Sequence, residues 1–215
     1  MSWSSGKDSA FALDAVRSAG AVEVTGLLTT VNAEAGRVAM HAVRRELLEA
    51  QSDAIGLALH VVDLPSPCPN EVYERLMRAA LENAKAEGVT RVVFGDLFLE
   101  DVRRYREASL AGSGVEPMFP LWGRPTRPLA EEMVERGLRA VITCVDPAQA
   151  PAGLAGRWYD AGLLRDLPAG VDPCGENGEL HTFVAYAPGF SRVIDVLVGE
   201  VVERDGFVFA DLCQA

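Results

Sequence analysis

Three short segments hold most of the side chains able to do chemistry. The first is Ser4-Ser5-Gly6-Lys7-Asp8-Ser9, set between a short apolar start and a run of helical spacing. Small residues let the backbone approach a ligand. The helix that follows presents unpaired N–H groups and the positive end of its dipole, so the segment reads as an anion-binding loop. The Ser4 and Ser9 hydroxyls add donors, Lys7 adds positive charge, and Asp8 can act through a bound Mg2+. The G-x-x-x-x-G-K-[ST] phosphate loop is absent from all 215 residues.

The second segment runs from Phe94-Gly95-Asp96 to Arg103-Arg104-Tyr105-Arg106-Glu107. Asp96 falls at the carboxyl end of a predicted strand, where open α/β sheets place ligands. Arg103 and Arg106 are three apart and share a helix face, from which both can reach phosphate or an acyl-adenylate. A solvated charged helix is the plainer reading of this run alone. The third segment, Asp172-Pro173-Cys174-Gly175-Glu176-Asn177-Gly178-Glu179-Leu180-His181-Thr182, is a polar turn entering a strand. Glu176 and Glu179 suit ammonium, Mg2+ or a cationic group, and His181 can transfer protons near neutral pH. Cys174 is open to a nucleophilic or a packing role. Strand alternation puts Glu179, His181 and Phe183 on one face and Leu180, Thr182 and Val184 on the other.

The elements that must position these groups follow from the spacing of the apolar residues. Phe11, Ala12, Ala15, Val16 and Ala19 recur at helical spacing and Gly20 stands where a C-terminal cap belongs. Val22 to Thr30 reads as a buried strand. Val43, Leu47, Ala50 and Ala54 form a second helical stripe ending near Gly56, and Leu59 to Leu64 a further strand. Asn70 is the expected N-cap of a helix striped by Tyr73, Leu76, Met77, Ala80, Leu81 and Ala84 and ended by Gly88. Arg91 to Gly95 is the next strand, feeding a charged helix from about Phe98 to Leu110. This alternation implies right-handed crossovers and an α/β fold, a doubly wound and mostly parallel sheet. Only Met1, Ser2 and Trp3 precede the loop, so its strand is expected to be very short.

The segment Glu116 to Pro125 carries three prolines and reads as a rigid edge or domain connection. The expected division is therefore residues 1–125, a nucleotide domain, and 126–215, a smaller α+β substrate domain. In the latter a helix from about Pro128 to Arg136 and a strand from Leu138 to Val145 come first. Leu180 to Tyr186, Val193 to Glu203 and Phe207 to Leu212 follow as strands, with Asp205-Gly206 as a hairpin turn.

The formal net charge of −11 opposes docking onto phosphate backbones or anionic lipid, so nucleic acid and membrane are not expected partners. Cys68, Cys144, Cys174 and Cys213 form no C-x-x-C pair, which removes the signature of zinc, iron–sulfur and dithiol sites. No signal-peptide pattern or membrane-length apolar run is legible, and a cytoplasmic protein is expected. A homodimer is left open.

Taken together, the three segments occur in the order and spacing of the diphthine ammonia ligase family, and the chain resembles its bacterial branch over essentially its whole length. The resemblance rests on Ser4 to Ser9, the strand end from Leu27 to Asn32, Met40-His41, Gly95-Asp96 with Arg103 to Glu107, and Cys174 to Thr182. Ser5 stands where the related S-G-G-x-D-S loop of PP-loop ATP pyrophosphatases has glycine. The arginine segment differs in detail from the family's tyrosine-glutamine-arginine pattern, and Leu180 stands where an aromatic is usual.

The resemblance implies an adenine nucleotide alpha hydrolase-like fold that binds ATP and Mg2+ and forms AMP and pyrophosphate. It implies a ligase that adenylates a carboxylate, small or protein-borne, and transfers it to ammonia or an amine. It assigns Ser4, Ser5, Gly6, Lys7, Asp8 and Ser9 to the phosphates, and Thr29, Thr30, Val31, Met40 and His41 to the adenosine side. Gly95 and Asp96 join the nucleotide site. Lys7, Asp8, Arg103, Arg106, Glu176, Glu179 and His181 are the catalytic candidates, with Asp8 the metal ligand. The rival readings are a tRNA-modifying PP-loop enzyme, which calls for paired cysteines and a basic face, and a non-catalytic ATP-binding sensor.

Overall fold

A computed structural model describes residues 1–38 and 40–215. The N-terminal elements are α1 (Lys7–Ala19), β1 (Gly26–Asn32), β2 (Arg37–Val38), α2 (Arg45–Ile55), β3 (Ala58–Leu64), α3 (Asn70–Ala86), β4 (Arg91–Val93), α4 (Glu100–Leu110) and β5 (Glu116–Met118). β1 and β3 pair in parallel from Gly26↔Ala58 to Asn32↔Leu64, and β4 and β5 pair in parallel from Arg91↔Glu116 to Val93↔Met118. Two-residue β2 returns antiparallel on the other edge of β1.

Met1, Ser2 and Trp3 join the two parallel pairs. Leu28 N donates to Met1 O at 2.8 Å, Trp3 N to Leu28 O at 2.7 Å, and Ser2 N to Val93 O at 2.9 Å. Three residues suffice because each edge supplies only the hydrogen bonds needed to aim the loop that follows. The spatial order is thus β3, β1, residues 1–3, β4, β5. The chain is a mixed α/β protein with parallel sheet elements.

Local signals account for most boundaries. Gly20 closes α1 in the left-handed conformation, φ 63°, with its N–H on Val16 O and Arg17 O. Asn70 is not the cap of α3. Pro69 occupies that position, and Asn70 is the first helical residue with no side-chain capping bond. Proline's fixed φ suits a helix entry, and no amide is lost there. Part of the proline-rich connection is a strand, β5, in which Pro117 faces Val92. The missing N–H is tolerated because β5 pairs only with β4 and its other edge is free.

The remaining elements are α5 (Thr126–Glu135), β6 (Arg139–Val145), a 3-10 turn (Ala152–Leu154), β7 (Trp158–Tyr159), α6 (Ala161–Asp166), β8 (Leu180–Tyr186), β9 (Val196–Arg204) and β10 (Phe207–Gln214). β6, buried from Ala140 to Val145, is the centre of an antiparallel sheet. It pairs with β8 on one edge and with β7 and β10 on the other, while β9 pairs with β10. Asp205-Gly206 turns the last hairpin with φ of 53° and 83°, the two positive values a type I′ turn requires. One apolar cluster runs from Trp3, Phe11, Leu27 and Leu47 through Leu129 and Ile142 to Phe183 and Leu212, so both halves share a core. Among the described residues no helix is long and apolar enough to cross a membrane.

Candidate active site

The Ser4–Ser9 loop is held from below by β8. Ser5 has a left-handed φ of 70° and is fully buried. Its carbonyl accepts from Val184 N at 2.9 Å and from Gln51 Nε2 at 3.0 Å. Those two bonds hold a conformation that costs a non-glycine residue of order 1 kcal/mol. Lys7 N donates to Thr182 Oγ1 at 3.1 Å, and Thr182 O lies 3.1 Å from His41 Nδ1. At the top of the loop Ser4 Oγ accepts from Gly6 N at 3.3 Å and lies 3.2 Å from Ser9 Oγ. Gly95 backs onto the start of α1. A Cβ there would stand 2.9 Å from Asp8 C and Ser9 N, so only glycine lets β4 and the loop close.

Lys7 is turned inward. Its ammonium, 1% exposed, donates to Asp8 Oδ2 at 2.8 Å and to Cys174 O, and lies 5.7 Å from the centre of the Tyr159 ring. Burial is the strongest influence and opposes the charge, but Asp8, Cys174 and Asp172 outweigh it and raise the pKa. The Asp8 carboxyl is raised by burial, against the pull of Lys7. Asp8 Oδ1 is buried and without a partner, leaving one acceptor free for a cation or a water.

Above the loop opens a cavity of about 870 Å3. Ser2, Trp3 and Ser4, the middle of β1 at Leu28, Thr29 and Thr30, and the β2 side at Val38, Met40 and His41 form its floor. Helices α3 and α4 supply Tyr73, Met77, Tyr105 and Arg106 as its outer wall. Thr29 Oγ1 is buried and unpartnered. Val31, fully buried in the core, does not line it. His41 and His181 face each other with ring centres 4.7 Å apart. Burial and the neighbouring ring lower His41 to about 3, and burial with the charge of Lys7 lowers His181 to about 4. Both rings are therefore neutral at pH 7, and His181 presents nitrogen lone-pair chemistry there, not a stored proton.

The two candidate arginines part company despite their shared face. Arg106 lines the cavity, sits 5.0 Å from the Phe94 ring centre and faces Asp96 across 3.5 Å, too far for a hydrogen bond. Burial raises the Asp96 pKa against the pull of Arg106. Arg103 lies outside the lining, over Phe119 and Trp122 at 5.0 and 4.7 Å, and pairs with Glu107 at 2.8 Å.

In the 172–182 turn most carboxylate oxygens are engaged by the chain itself. Asp172 accepts from Cys174 N and Glu176 N, while Glu179, 3% exposed, accepts from Asp172 N, Asn177 N and Asn177 Nδ2. Glu176 reaches across to β4–α4, where Oε1 accepts from Leu97 N at 2.7 Å and Phe98 N at 3.3 Å. Burial pushes its pKa up to about 7, those backbone bonds opposing. Cys174 is buried, its thiol donates to Thr126 O, and burial raises its pKa, which places it in packing and not nucleophilic chemistry. Among the described residues no three His, Cys, Asp or Glu gather as a metal cage.

Gln51, fully buried on α2, is a loop-supporting residue that the pattern of the sequence does not reveal. It accepts from Trp3 Nε1 at 2.8 Å and donates to Ser5 O and Val184 O at 3.0 and 2.7 Å. Its one signal is a polar residue beside the buried stripe of α2. Tyr159 is another, its hydroxyl on Pro173 O at 2.7 Å beneath Lys7.

The sequence pattern of the diphthamide synthase N-terminal domain matches residues 1–117, and that of the diphthamide synthase C-terminal domain matches residues 125–211. The chain is similar to proteins named diphthine–ammonia ligase. Similarity to the cow protein is 28% identity over 146 residues, 65% of this chain and 53% of that one. To the zebrafish protein it is 28% over 165 residues, 72% and 63%. To the human protein it is 27% over 146 residues, 65% and 53%. The chain thus spans between 53% and 63% of the length of these curated relatives.

Proposed function

Because the chain belongs to the diphthamide synthase family, we propose that it is an ATP-dependent, AMP-forming ligase that adenylates a carboxylate and passes the acyl group to ammonia or another amine. The carrying observation is the placement of the cavity. It lies within the half that the N-terminal family pattern matches, against Ser4 of the loop and the middle of β1, and the other half reaches it through His181 of β8. In this reading residues 1–125 are a doubly wound nucleotide domain of the adenine nucleotide alpha hydrolase type, and residues 126–215 complete the substrate site through β8.

Adenosine lies against Thr29, Thr30, Met40 and His41, and the phosphates run to Ser4 and the start of α1. The positive end of that helix and the Ser4 and Ser9 hydroxyls hold the leaving pyrophosphate. Lys7 acts from beneath, fixing Asp8 and the turn at Cys174. An oxygen of the substrate carboxylate attacks the α-phosphorus and the bond to pyrophosphate breaks. The amine then attacks the acyl carbon, loses a proton, and AMP departs. Arg106, on the cavity wall, is placed to offset the phosphate or acyl-adenylate charge. Neutral His41 and His181 add no imidazolium that would protonate the amine.

Mg2+ is compatible with the free Oδ1 of Asp8, since this ion takes one or two carboxylates and completes its shell with phosphate and water. When bound it would neutralise phosphate charge. The test is incubation with Mg-ATP, ammonium and a panel of carboxylates, with AMP, ADP and pyrophosphate quantified. Carboxylate-dependent AMP and pyrophosphate are expected. ADP as the product refutes adenylation, and binding without turnover on any acceptor favours a sensor.

A further inference from the structure

Strand β9 stands at the free edge of the C-terminal sheet, paired only with β10, and every residue of it after Val196 is exposed. Seven large apolar side chains stand exposed among the described residues. Four are on this strand: Leu197, Val198, Val201 and Val202, at 60%, 41%, 50% and 37%. The edge carries no proline and no lysine. A long apolar edge of that kind is a template for another strand. We propose that it pairs antiparallel with the same edge of a second copy of this chain, about a two-fold axis at Gly199–Glu200.

The register follows from a bulge. Val198 faces Leu212 and Val201 faces Ala210, so Gly199 and Glu200 together oppose Asp211 alone. Beyond a bulge the alternation reverses, and the residues that turn N–H and C=O outward change from odd to even numbers or the converse. In an antiparallel self-pairing, residues before the bulge must therefore meet residues after it. One such register sets Leu197 against Val202 on one face of the strand and Val198 against Val201 on the other, so each of the four exposed apolar side chains meets another. The same register sets Asp195 against Arg204, twice by symmetry.

Sliding by two residues loses this agreement. One direction puts Leu197 against Glu200 and Arg204 against Val193, and the other puts Val198 against Glu203. Odd slips oppose Glu200 to its own copy or Asp195 to Glu203, like charges that destabilise a cross-strand pair. Asp195 continues the ladder, its carbonyl accepting from Ala215 N at 3.0 Å. Among the described residues neither Asp195 nor Arg204 is in an ion pair within its own chain. Complementarity of a surface to itself is what a two-fold interface requires, which selects a second copy as the occupant.

The test is the mass of the full chain by sedimentation velocity and light scattering over rising concentration. A reversible monomer–dimer equilibrium is expected. Val201→Lys should shift it to monomer with an unchanged circular dichroism spectrum. Arg204→Asp or Asp195→Arg alone should weaken the dimer by about tenfold, because each turns both salt bridges into like-charge pairs. Combining the two should restore it to within a few-fold. The proposal is overturned by a monomer at every concentration, by open-ended assemblies, or by a dimer that Val201→Lys leaves intact. It is equally overturned if the double swap is no better than the single ones.

Discussion

The floor and the outer wall of the cavity meet the same space with different construction. On the floor side, α2 buries Leu47, Leu48, Ala50, Gln51, Ala54 and Ile55, and the loop, Trp3 and β8 are tied by direct hydrogen bonds. On the wall side, α3 has 17 residues and none is buried, although Tyr73, Leu76, Met77, Ala80 and Leu81 form a clear apolar stripe. Tyr73, Met77 and Leu81 of the stripe line the cavity, and Leu81 alone also packs against the small core of Val92, Phe94, Leu110 and Val115. The difference places precision where charge must be held and adaptability where a ligand's bulk must be accepted, since thinly packed elements are the first to open.

Breaking the floor should have the largest effect. Gln51→Leu leaves the Trp3 indole N–H without its acceptor and removes one donor each from Ser5 O and Val184 O. With about 1–3 kcal/mol for each buried group left unsatisfied, urea unfolding should show a loss of several kcal/mol. The KM for ATP should rise along with that loss, and Gln51→Glu should not rescue it, because the amide's two donated bonds are lost. A stability near wild type would dissolve the contrast between floor and wall.

Paired truncations sharpen it. Leu47→Ala, in the buried stripe of α2, should cost about 2–5 kcal/mol, whereas Met77→Ala on α3 should cost less than about 1 kcal/mol, having little packing to lose. Equal costs in parallel urea titrations would show that α3 is as firmly seated as α2.

Arg106→Ala comes next. It removes one of the two arginines that line the cavity, Arg78 being the other, and leaves Asp96 without its partner, and kcat/KM for ATP should fall about tenfold or more through lost charge stabilisation. Arg103→Ala, which strips a cation from Phe119 and Trp122 outside the cavity, should fall far less. Equal losses would mean that the cavity wall does not separate the two arginines.

The smallest effect is a pH dependence. Glu176 titrates near 7 in the fold and near 4.5 when unfolded, so between those values the folded state holds the extra proton. Its contribution is fully present below about 4.5 and is lost as pH rises through 7. Glu176→Gln keeps an acceptor for Leu97 N and Phe98 N but cannot ionise. The difference in stability between variant and wild type should therefore grow in the variant's favour from pH 5 to 8. A flat difference would show that the carboxylate is ionised throughout.

Much of this arrangement is legible in the sequence, and the gaps have physical causes. The loop, α1 with Gly20, and β8 from Leu180 to Tyr186 stand out because small residues, caps and alternation are local signals. The direction of Lys7 is not local. It depends on Cys174 and Tyr159 arriving beneath the loop from the other half of the chain. Glu179 looks like a free carboxylate until the turn folds around it and supplies three donors. Gln51 is one polar residue in a helix until α2 meets both Trp3 and β8, and two-residue strands such as β2 and β7 carry too little pattern to read.

The most direct test of the central claim, that ATP binds with its base between β1 and the α3–α4 wall, is photolabelling with 8-azido-ATP followed by peptide mapping. Labelling of the Thr29–His41 or Tyr73–Leu81 peptides, suppressed by excess ATP and weakened in Gln51→Leu, is the predicted result. Saturable labelling confined to other peptides would contradict the account.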